Sequence, residues 1–312
     1  MMAGHRPRVL YITGWMRSGS TVLGNVLNEL PGVLHVGELH YLWQNGVLHT
    51  GTNSTCGCGL GLRACPLWSS VLHAATARTT PEADARLMVT RQHTLLRTRH
   101  TRARLAEACG TARPAPGTEQ HLDRMTDVYR LLGTRGGERL VVDGSKYPAE
   151  AAALLGRTDV ETRVVHIVRD PRATALSYRR AKHYIGPMSA ARSTAYWLAF
   201  NLASECVGRA AADRYLRIRH EDLARRPEAV VTQVLRFAGL DDPSPVDAFG
   251  KVGLTGNHTV TGNPDRLHRG DTLIRPDERW RTQLPGRDLT TATCIAAPLL
   301  PRYGYPLLSA RP

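Results

Sequence analysis

The sequence predicts an α/β fold in which a parallel β-sheet is flanked by helices and carries a helical insertion. Short apolar runs, each followed at once by a turn or a helix start, occur at Arg8–Thr13, Leu140–Val142 and Val164–Val168. Strands that alternate with helices form parallel sheets with crossover helices on both faces. The chain has 312 residues, enough for one large or two small domains with a buried core. We expect a single domain over residues 1–312.

The first predicted helix follows the first strand after a glycine-containing loop. Apolar residues recur there at helical spacing until Pro31 and Gly32 end the helix. These apolar residues are Val22, Leu23, Val26, Leu27 and Leu30. The other predicted elements are two weaker strands and two helices, in chain order Val33–Val36, Ala173–Lys182, Tyr215–Arg219 and about Pro227–Phe237.

Two segments depart from this alternation. Residues 67–135 are helical in pattern and rich in Arg, Thr and Ala, with a break at Arg113–Gly117. We interpret them as an insertion that lies over the sheet rather than as a separate domain. Residues 250–285 are rich in Gly, Asn, Pro and Arg, a composition that predicts a loop.

The chain is strongly basic, with 41 Lys+Arg against 27 Asp+Glu and a net charge of +14. This excess indicates an anionic partner, although part of it reflects an arginine-biased surface. The only lysines are Lys146, Lys182 and Lys251, so each of them is informative. No stretch approaches the ~20 apolar residues of a membrane helix. Val9–Ile12 is too short for a secretory signal, so we expect a cytoplasmic protein without a membrane span.

Three of the six cysteines form a cluster, Cys56-Gly-Cys58 followed by Cys65. This spacing lacks the second Cys or His pair that makes a zinc prediction strong. His49 and His73 are candidates for a fourth ligand. A thiol turn, a local disulfide and a metal site all remain open, and we assign no metal.

The loop after the first strand, Gly14–Thr21, has the pattern G-x-x-x-x-G-S-T. It resembles the phosphate loop G-x-x-x-x-G-K-[ST], in which backbone N–H groups at a helix N-terminus hold phosphates. Ser20 replaces the usual lysine, and a basic residue, Arg17, lies three positions earlier. A magnesium-dependent kinase or NTPase needs that lysine and a metal-binding acid. Asp143 is a candidate for the acid, but nothing supplies the lysine.

A second basic motif, Arg169-Asp170-Pro171-Arg172 with Ser177, follows another predicted strand. Ligands bind outside the carboxyl ends of parallel strands, so Arg169 is placed to contact a phosphate and Ser177 to add a hydroxyl. The alternative is that Arg169 pairs with an Asp that caps the helix. One molecule with two separate phosphate groups would engage both loops.

Together these motifs resemble the sulfotransferases that use 3′-phosphoadenosine 5′-phosphosulfate (PAPS), especially bacterial members and the carbohydrate and tyrosyl-protein branches. Arg17–Thr21 resembles their 5′-phosphosulfate loop and Arg169–Ser177 their 3′-phosphate motif. Gly37-Glu38 and Val142–Pro148 resemble the segments that hold a catalytic carboxylate and a catalytic lysine. The resemblance covers about residues 8–70 and 138–305, and implies a P-loop NTPase-like fold.

Two further segments carry the resemblance. Arg219–Leu223 resembles a motif that often has Tyr where this chain has His220, whose role is left open. Gly262–Arg266 and Trp280 resemble a C-terminal loop that closes over the cofactor. The cofactor-binding residues implied are Arg17, Ser18, Gly19, Ser20, Thr21, Arg169, Ser177, Gly262, Asn263 and Arg266.

The resemblance implies transfer of a sulfuryl group to a hydroxyl, or less readily an amine, with release of adenosine 3′,5′-bisphosphate (PAP). Glu38 would accept the acceptor's proton, with His40 as the rival base. Lys146 and Arg17 would stabilise negative charge on the leaving oxygen. A sulfuryl group carries less charge than a phosphoryl group, so we expect no metal to be required. His166, in mid-strand, is interpreted as a buried, hydrogen-bonded histidine.

We expect a small-molecule acceptor, such as a secondary metabolite, with a carbohydrate or glycolipid as the alternative. The segments 67–135 and Tyr184–Asn201 are expected to form the acceptor pocket. The basic run at residues 91–104 is either a solvated helix face or a surface for an acidic acceptor, and no nucleic-acid motif accompanies it. Two other classes stay open, a magnesium-dependent P-loop kinase or NTPase and a non-catalytic polyanion-binding protein.

Overall fold

A computed structural model describes residues 6–76, 80–137, 139–179 and 186–307. Its centre is a sheet of five parallel strands in the order β2-β3-β1-β4-β5. These strands are β1 (Arg8–Thr13), β2 (Val33–Gly37), β3 (Leu140–Lys146), β4 (Glu161–Val168) and β5 (Tyr215–Arg219). The predicted α/β class and parallel sheet are confirmed.

Helices cover both faces of the sheet. In chain order they are α1 (Ser20–Leu27), α2 (Pro66–Ala75), α3 (Pro81–Leu95), α4 (Thr101–Ala108), α5 (Thr118–Gly136), α6 (Pro148–Leu155), α7 (Pro171–Arg179), α8 (Ala190–Ala210), α9 (His220–Arg225), α10 (Pro227–Phe237), α11 (Trp280–Gln283) and α12 (Gly286–Ala296). The predicted continuation of α7 to Lys182 lies outside the described residues, as does Tyr184.

The central strand β1 sends alternate side chains into two hydrophobic cores. Val9 and Tyr11 lie in the core that the insertion helices α2 and α5 cover. Leu10 and Ile12 lie in the opposite core, against α1 and α10. Since side chains alternate along a strand, an apolar run of this kind is buried on both faces. The segment predicted as an insertion therefore packs on the sheet, as expected.

The prediction of a loop over residues 250–285 is wrong in part. This segment contains a two-stranded antiparallel sheet, β6 (Lys251–Leu254) with β7 (Gly270–Leu273), and the short helix α11. A strand of four residues places only two side chains on each face, so its alternation is too short to recognise in the sequence.

In the described part of the chain, no helix has the length and apolar character needed to cross a membrane.

Candidate active site at the carboxyl end of the sheet

The carboxyl ends of the parallel strands border a cavity of about 370 Å³. Open parallel sheets bind their ligands at this edge. The sequence-predicted residues that line it are Arg17, Gly19, Ser20, Thr21, Glu38, Lys146, Arg169, Gly262 and Asn263. The other predicted residues, Ser18, Ser177 and Arg266, do not line this cavity.

The loop between β1 and α1 is shaped by close backbone contacts. Gly19 has a φ of 90°, and a Cβ there would lie 2.4 Å from His220 Nδ1. The buried Ser18 hydroxyl donates to the Trp15 carbonyl at 2.6 Å, which holds the loop from inside. Helix α1 begins at Ser20 beside the cavity. Its first-turn N–H groups have no partners within the helix, so this end of α1 suits an anion.

Two arginines from different strand ends meet beside this loop. Arg17 donates from Nε to the Ser177 hydroxyl at 2.9 Å. Arg169 donates to the Arg17 carbonyl at 3.0 Å and lies 3.4 Å from an Asp277 carboxylate oxygen. Ser177 therefore does not line the cavity itself but contacts Arg17, which does. Burial lowers the pKa of Arg169, whose Nε has no hydrogen-bond partner among the described residues.

The alternative role for Arg169, pairing with a helix-capping Asp, does not occur. Asp170 does accept from a backbone N–H at the start of α7, that of Arg172 at 2.9 Å. Its guanidinium partner is the fully buried Arg172, with bonds of 2.9 and 2.7 Å. Arg169 pairs with Asp277 instead and lines the cavity.

Glu38 and Lys146 form an ion pair on the cavity wall. Lys146 ends β3, and its Nζ donates to Glu38 and, at 3.0 Å, to the Gly144 carbonyl. The two side chains are 6% and 14% exposed, so the pair is shielded but reachable. Glu38 directly follows β2, where its N–H donates to the Val260 carbonyl at 2.9 Å. A potential proton acceptor and a cation thus lie side by side.

His40, the rival base, does not line the cavity. His40 would share a face with Glu38 if β2 continued, but the strand ends at Gly37 and the chain turns into a short 3-10 helix, Leu39–Tyr41. His40 is buried instead, with Nδ1 3.2 Å from Glu150 and its ring stacked on Tyr147.

Asp143, the metal-binding acid of the kinase alternative, is fully buried and also outside the cavity. It accepts from the Tyr129 hydroxyl at 2.6 Å and from the Ser145 N–H at 2.9 Å. Burial, reinforced by the negative charge of Glu150, raises its pKa to about 7. Asp143 supports the end of β3, which carries Lys146, and is not available to hold a metal in the cavity.

Unusual backbone conformations concentrate around the cavity. Among the described residues, five other than glycine have a clearly positive φ, and of these only His49 lies away from it. Those at the cavity or its adjoining recess are Arg17, Asn53, Lys146 and Thr261. Such conformations cost free energy and cluster at functional sites. These backbone conformations therefore independently favour this edge of the sheet as the candidate functional site.

Comparison with known proteins identifies the family. A family model described as the sulfotransferase family matches residues 8–244. The chain belongs to the sulfotransferase family. Mouse carbohydrate sulfotransferase 7 is 31% identical over 93 residues, which are 30% of this chain and 19% of the mouse protein. The alignment therefore spans about a fifth of that relative's length.

A solved sulfotransferase domain shows the same fold as this chain. The sulfotransferase domain of the Synechococcus PCC 7002 olefin synthase is 22% identical, with a TM-score of 0.54 over 99% of this chain and 98% of that one. Mouse sulfotransferase SULT7A1, solved in complex with PAP, is 10% identical, with a TM-score of 0.47 over 95% and 85% of the two chains. The first likeness confirms the predicted P-loop-like sheet.

The C-terminal loop of the sulfotransferase closes one side of the cavity. Gly262 and Asn263 line it, and the Gly262 carbonyl accepts from Asn53 at 2.6 Å. Arg266, which the resemblance implies as a cofactor-binding residue, does not line the cavity. It is buried beside a small adjoining recess, and its guanidinium donates to the carbonyls of Thr259 at 3.0 Å and Thr55 at 2.9 Å.

Sequence reasoning missed several cavity residues. Tyr41, Asn45 and Asn53 line it from the segment after β2, and Asp265 from the C-terminal loop. Tyr41 follows Glu38 by three residues, a spacing that would bring it to the same side of a helical turn. The loop asparagines carry no comparable signal. His220, whose role was left open, also borders the cavity.

Buried histidines should make the sulfotransferase sensitive to acid. Burial lowers the pKa of His166 to about 4 and of His35 and His220 to about 3. The unfolded chain protonates these histidines more readily than the folded protein does. Their protonation therefore does not reduce stability above about pH 6.5, and the free energy of unfolding falls as the pH drops below that value. At pH 5 each of these histidines lowers the free energy of unfolding by about 2 kcal/mol, compared with its value above pH 6.5. Asp143 opposes them, since its raised pKa favours the folded state at low pH.

We expect the urea midpoint to fall between pH 7.5 and pH 5, because three histidines outweigh one carboxyl. Urea unfolding followed by tryptophan fluorescence at both pH values measures it. A urea midpoint that is unchanged or higher at pH 5 would contradict the buried, neutral state of these histidines.

His166 itself is hydrogen-bonded to Tyr215 at 2.5 Å and Asn201 at 2.7 Å, as predicted.

The cysteine cluster lies beside the same C-terminal loop. Cys56, Cys58 and Cys65 come together, as their spacing indicates, but neither His49 nor His73 joins them. The histidine at the cluster is His258, which lies far from the three cysteines in the sequence.

Proposed function

We propose that this sulfotransferase transfers a sulfuryl group from PAPS to a hydroxyl of a small molecule and releases PAP. The observation that carries the proposal is the Glu38–Lys146 pair on the wall of a cavity that also contains the N-terminus of α1 and two arginines. This set provides a proton acceptor, a cation beside it and separate contacts for two anionic groups.

The donor fits the described residues at two points. The first turn of α1, with Arg17, suits the phosphosulfate end, because unpaired N–H groups and a guanidinium stabilise negative charge. Arg169 suits the 3′-phosphate, and its buried Nε has no protein partner among the described residues. A buried donor without a partner is costly, so an anion that accepts from it would stabilise the bound state.

The residues divide the chemistry between them. PAPS supplies the sulfuryl group. Glu38 would take the proton from the acceptor hydroxyl as its oxygen bonds to sulfur. Lys146 and Arg17 would stabilise the charge that develops on the bridging oxygen as its bond to sulfur breaks. Proton transfer to Glu38 neutralises the carboxylate, which frees Lys146 to act on the leaving oxygen.

A groove of about 350 Å³ next to the cavity suits the acceptor. The insertion contributes Arg97 and Arg99 to it, and α8 contributes Tyr196 and Phe200. These two segments are the ones expected from the sequence to form the acceptor pocket. Tyr41 lines both spaces and therefore connects them. Aromatic walls with a basic rim suit a small aromatic acceptor that carries a negative group.

Thermal stability with two ligands tests the proposed donor. PAP at 100 times its dissociation constant should stabilise the protein by about 2.7 kcal/mol, which raises the Tm by roughly 5–10 °C for a chain of this size. ATP with magnesium should give no comparable shift, since no lysine occupies the position of Ser20. The measurement is differential scanning fluorimetry.

A matched pair of variants makes this test specific. Arg169→Gln should lose most of the PAP shift, whereas Arg287→Gln, at an exposed position in α12, should keep it. A shift with ATP and magnesium but none with PAP would favour the kinase alternative. An equal shift with any polyanion, unaffected by Arg169→Gln, would favour the non-catalytic polyanion-binding alternative.

A further inference from the structure

Three thiols and one imidazole meet at a place outside the proposed catalytic cavity. They belong to Cys56, Cys58 and Cys65, before and at the start of α2, and to His258, in the C-terminal loop. The three sulfur atoms and a ring nitrogen all lie within 4.8 Å of one another. We propose that these four side chains bind one structural Zn²⁺ ion.

Three of the distances between the ligand atoms match the edges of a zinc tetrahedron, and the Cys58 sulfur lies within 4.8 Å of the other ligand atoms. Bond lengths of about 2.3 Å to sulfur and 2.0–2.1 Å to nitrogen give tetrahedral edges of about 3.8 Å between sulfurs and about 3.6 Å between sulfur and nitrogen. The Cys56 and Cys65 sulfurs are 3.5 Å apart. The Nδ1 atom of His258 lies 3.6 Å from the first and 3.3 Å from the second.

The ligand set also selects the metal and its role. Three thiolates with one imidazole are typical of structural zinc, whereas magnesium and calcium prefer oxygen ligands. Four protein ligands complete the tetrahedron and leave no position for a substrate, so the site is structural rather than catalytic.

The surrounding backbone holds the four ligands in place. The Gly57 N–H donates to the Thr259 carbonyl at 2.8 Å, and the Trp68 indole donates to the His258 carbonyl at 2.7 Å. A Cβ at Gly57 would lie 1.9 Å from the Asn257 side-chain oxygen, so the Cys-Gly-Cys turn packs directly on the C-terminal loop. Outer contacts of this kind orient metal ligands.

The metal would connect two distant parts of the chain at the wall of the cavity. From His258 the chain continues to Val260, whose carbonyl accepts from the Glu38 N–H, and to Thr261, whose hydroxyl donates to the Glu38 carbonyl at 3.1 Å. Gly262, next in sequence, lines the cavity. The zinc site is thus a positioning device for the segment that borders Glu38.

Metal analysis of the purified protein tests the proposal directly. Protein isolated without chelators should contain about one zinc per chain by inductively coupled plasma mass spectrometry. Cys65→Ser and His258→Ala should each lower this at least fivefold. Cys109→Ser, at an exposed cysteine outside the cluster, should leave it unchanged.

A second measurement does not depend on whether the variants fold. Wild-type protein refolded with Co²⁺ in place of zinc should show the charge-transfer and visible absorption of tetrahedral cobalt–thiolate bonds, and Zn²⁺ should displace them. The proposal would be overturned if the wild-type protein contained no zinc and the cobalt-treated protein lacked these bands. In that case mass spectrometry would show the three cysteines either freely alkylated or with two of them joined in a disulfide. The PAP shift is measured separately, so either proposal can fail alone.

Discussion

Lys146→Ala should lower turnover about 10²–10³-fold, the usual effect of removing one well-placed donor to a developing negative charge. Lys146 is the cation paired with the cavity carboxylate, and a methyl group replaces none of its charge. Initial rates of labelled-sulfate transfer from PAPS to a phenol that the wild type sulfates, with both substrates saturating, measure the effect.

The chain offers a matched control in Lys251, an exposed lysine at the start of β6. Lys251→Ala should keep wild-type turnover. Because Lys146→Ala leaves the Glu38 carboxylate half-buried without its partner, its stability must be compared with that of the double variant Lys146→Ala/Glu38→Gln. Turnover of a folded Lys146→Ala protein within threefold of wild type would remove Lys146 from the chemistry.

Glu38→Gln should lower turnover at least 100-fold while PAP binding stays near the wild-type value. The amide keeps the size of the carboxylate and can still accept a hydrogen bond from Lys146, but it cannot take a proton. The same transfer assay gives the rate, and the PAP-induced rise in Tm reports the affinity. A loss in rate with an unchanged PAP shift would assign Glu38 to the proton transfer.

Glu119→Gln, at an exposed position in the first turn of α5, is the control and should behave as wild type. Near-normal turnover of Glu38→Gln would contradict the proposed base. The assignment would not pass to His40, because that ring is buried between Tyr147 and Glu150 rather than at the cavity.

Much of the fold was predictable because the central strands are buried on both faces. The observed bounds of β1, Arg8–Thr13, are those predicted, since apolar residues continue to its end. Strand β3 runs to Lys146, four residues past the predicted Val142, because Asp143 and Ser145 satisfy each other's polar groups inside the protein. An apolar pattern cannot show polar residues that are buried as hydrogen-bonded pairs.

The parts of the site that depend on distant contacts were not predictable from spacing. His258 lies 193 residues after Cys65, so no local pattern connects them. His49 and His73 are nearer in sequence, but neither lies at the cluster. Strand alternation would place His40 on the same face as Glu38, but the strand ends at Gly37 and the alternation ends with it. Sequence patterns report local periodicity, and these outcomes were set by tertiary packing.

The left-handed backbone at Arg17 and Lys146 has a consequence for engineering. A residue other than glycine pays about 1–2 kcal/mol in that conformation. Glycine substitutions at positive φ are a familiar way to make a protein more heat-resistant, and a screen that selects only for survival on heating would favour them at both positions. Such a screen would remove the two cations on which the proposed reaction depends, so selection for robustness and selection for turnover should diverge most sharply here.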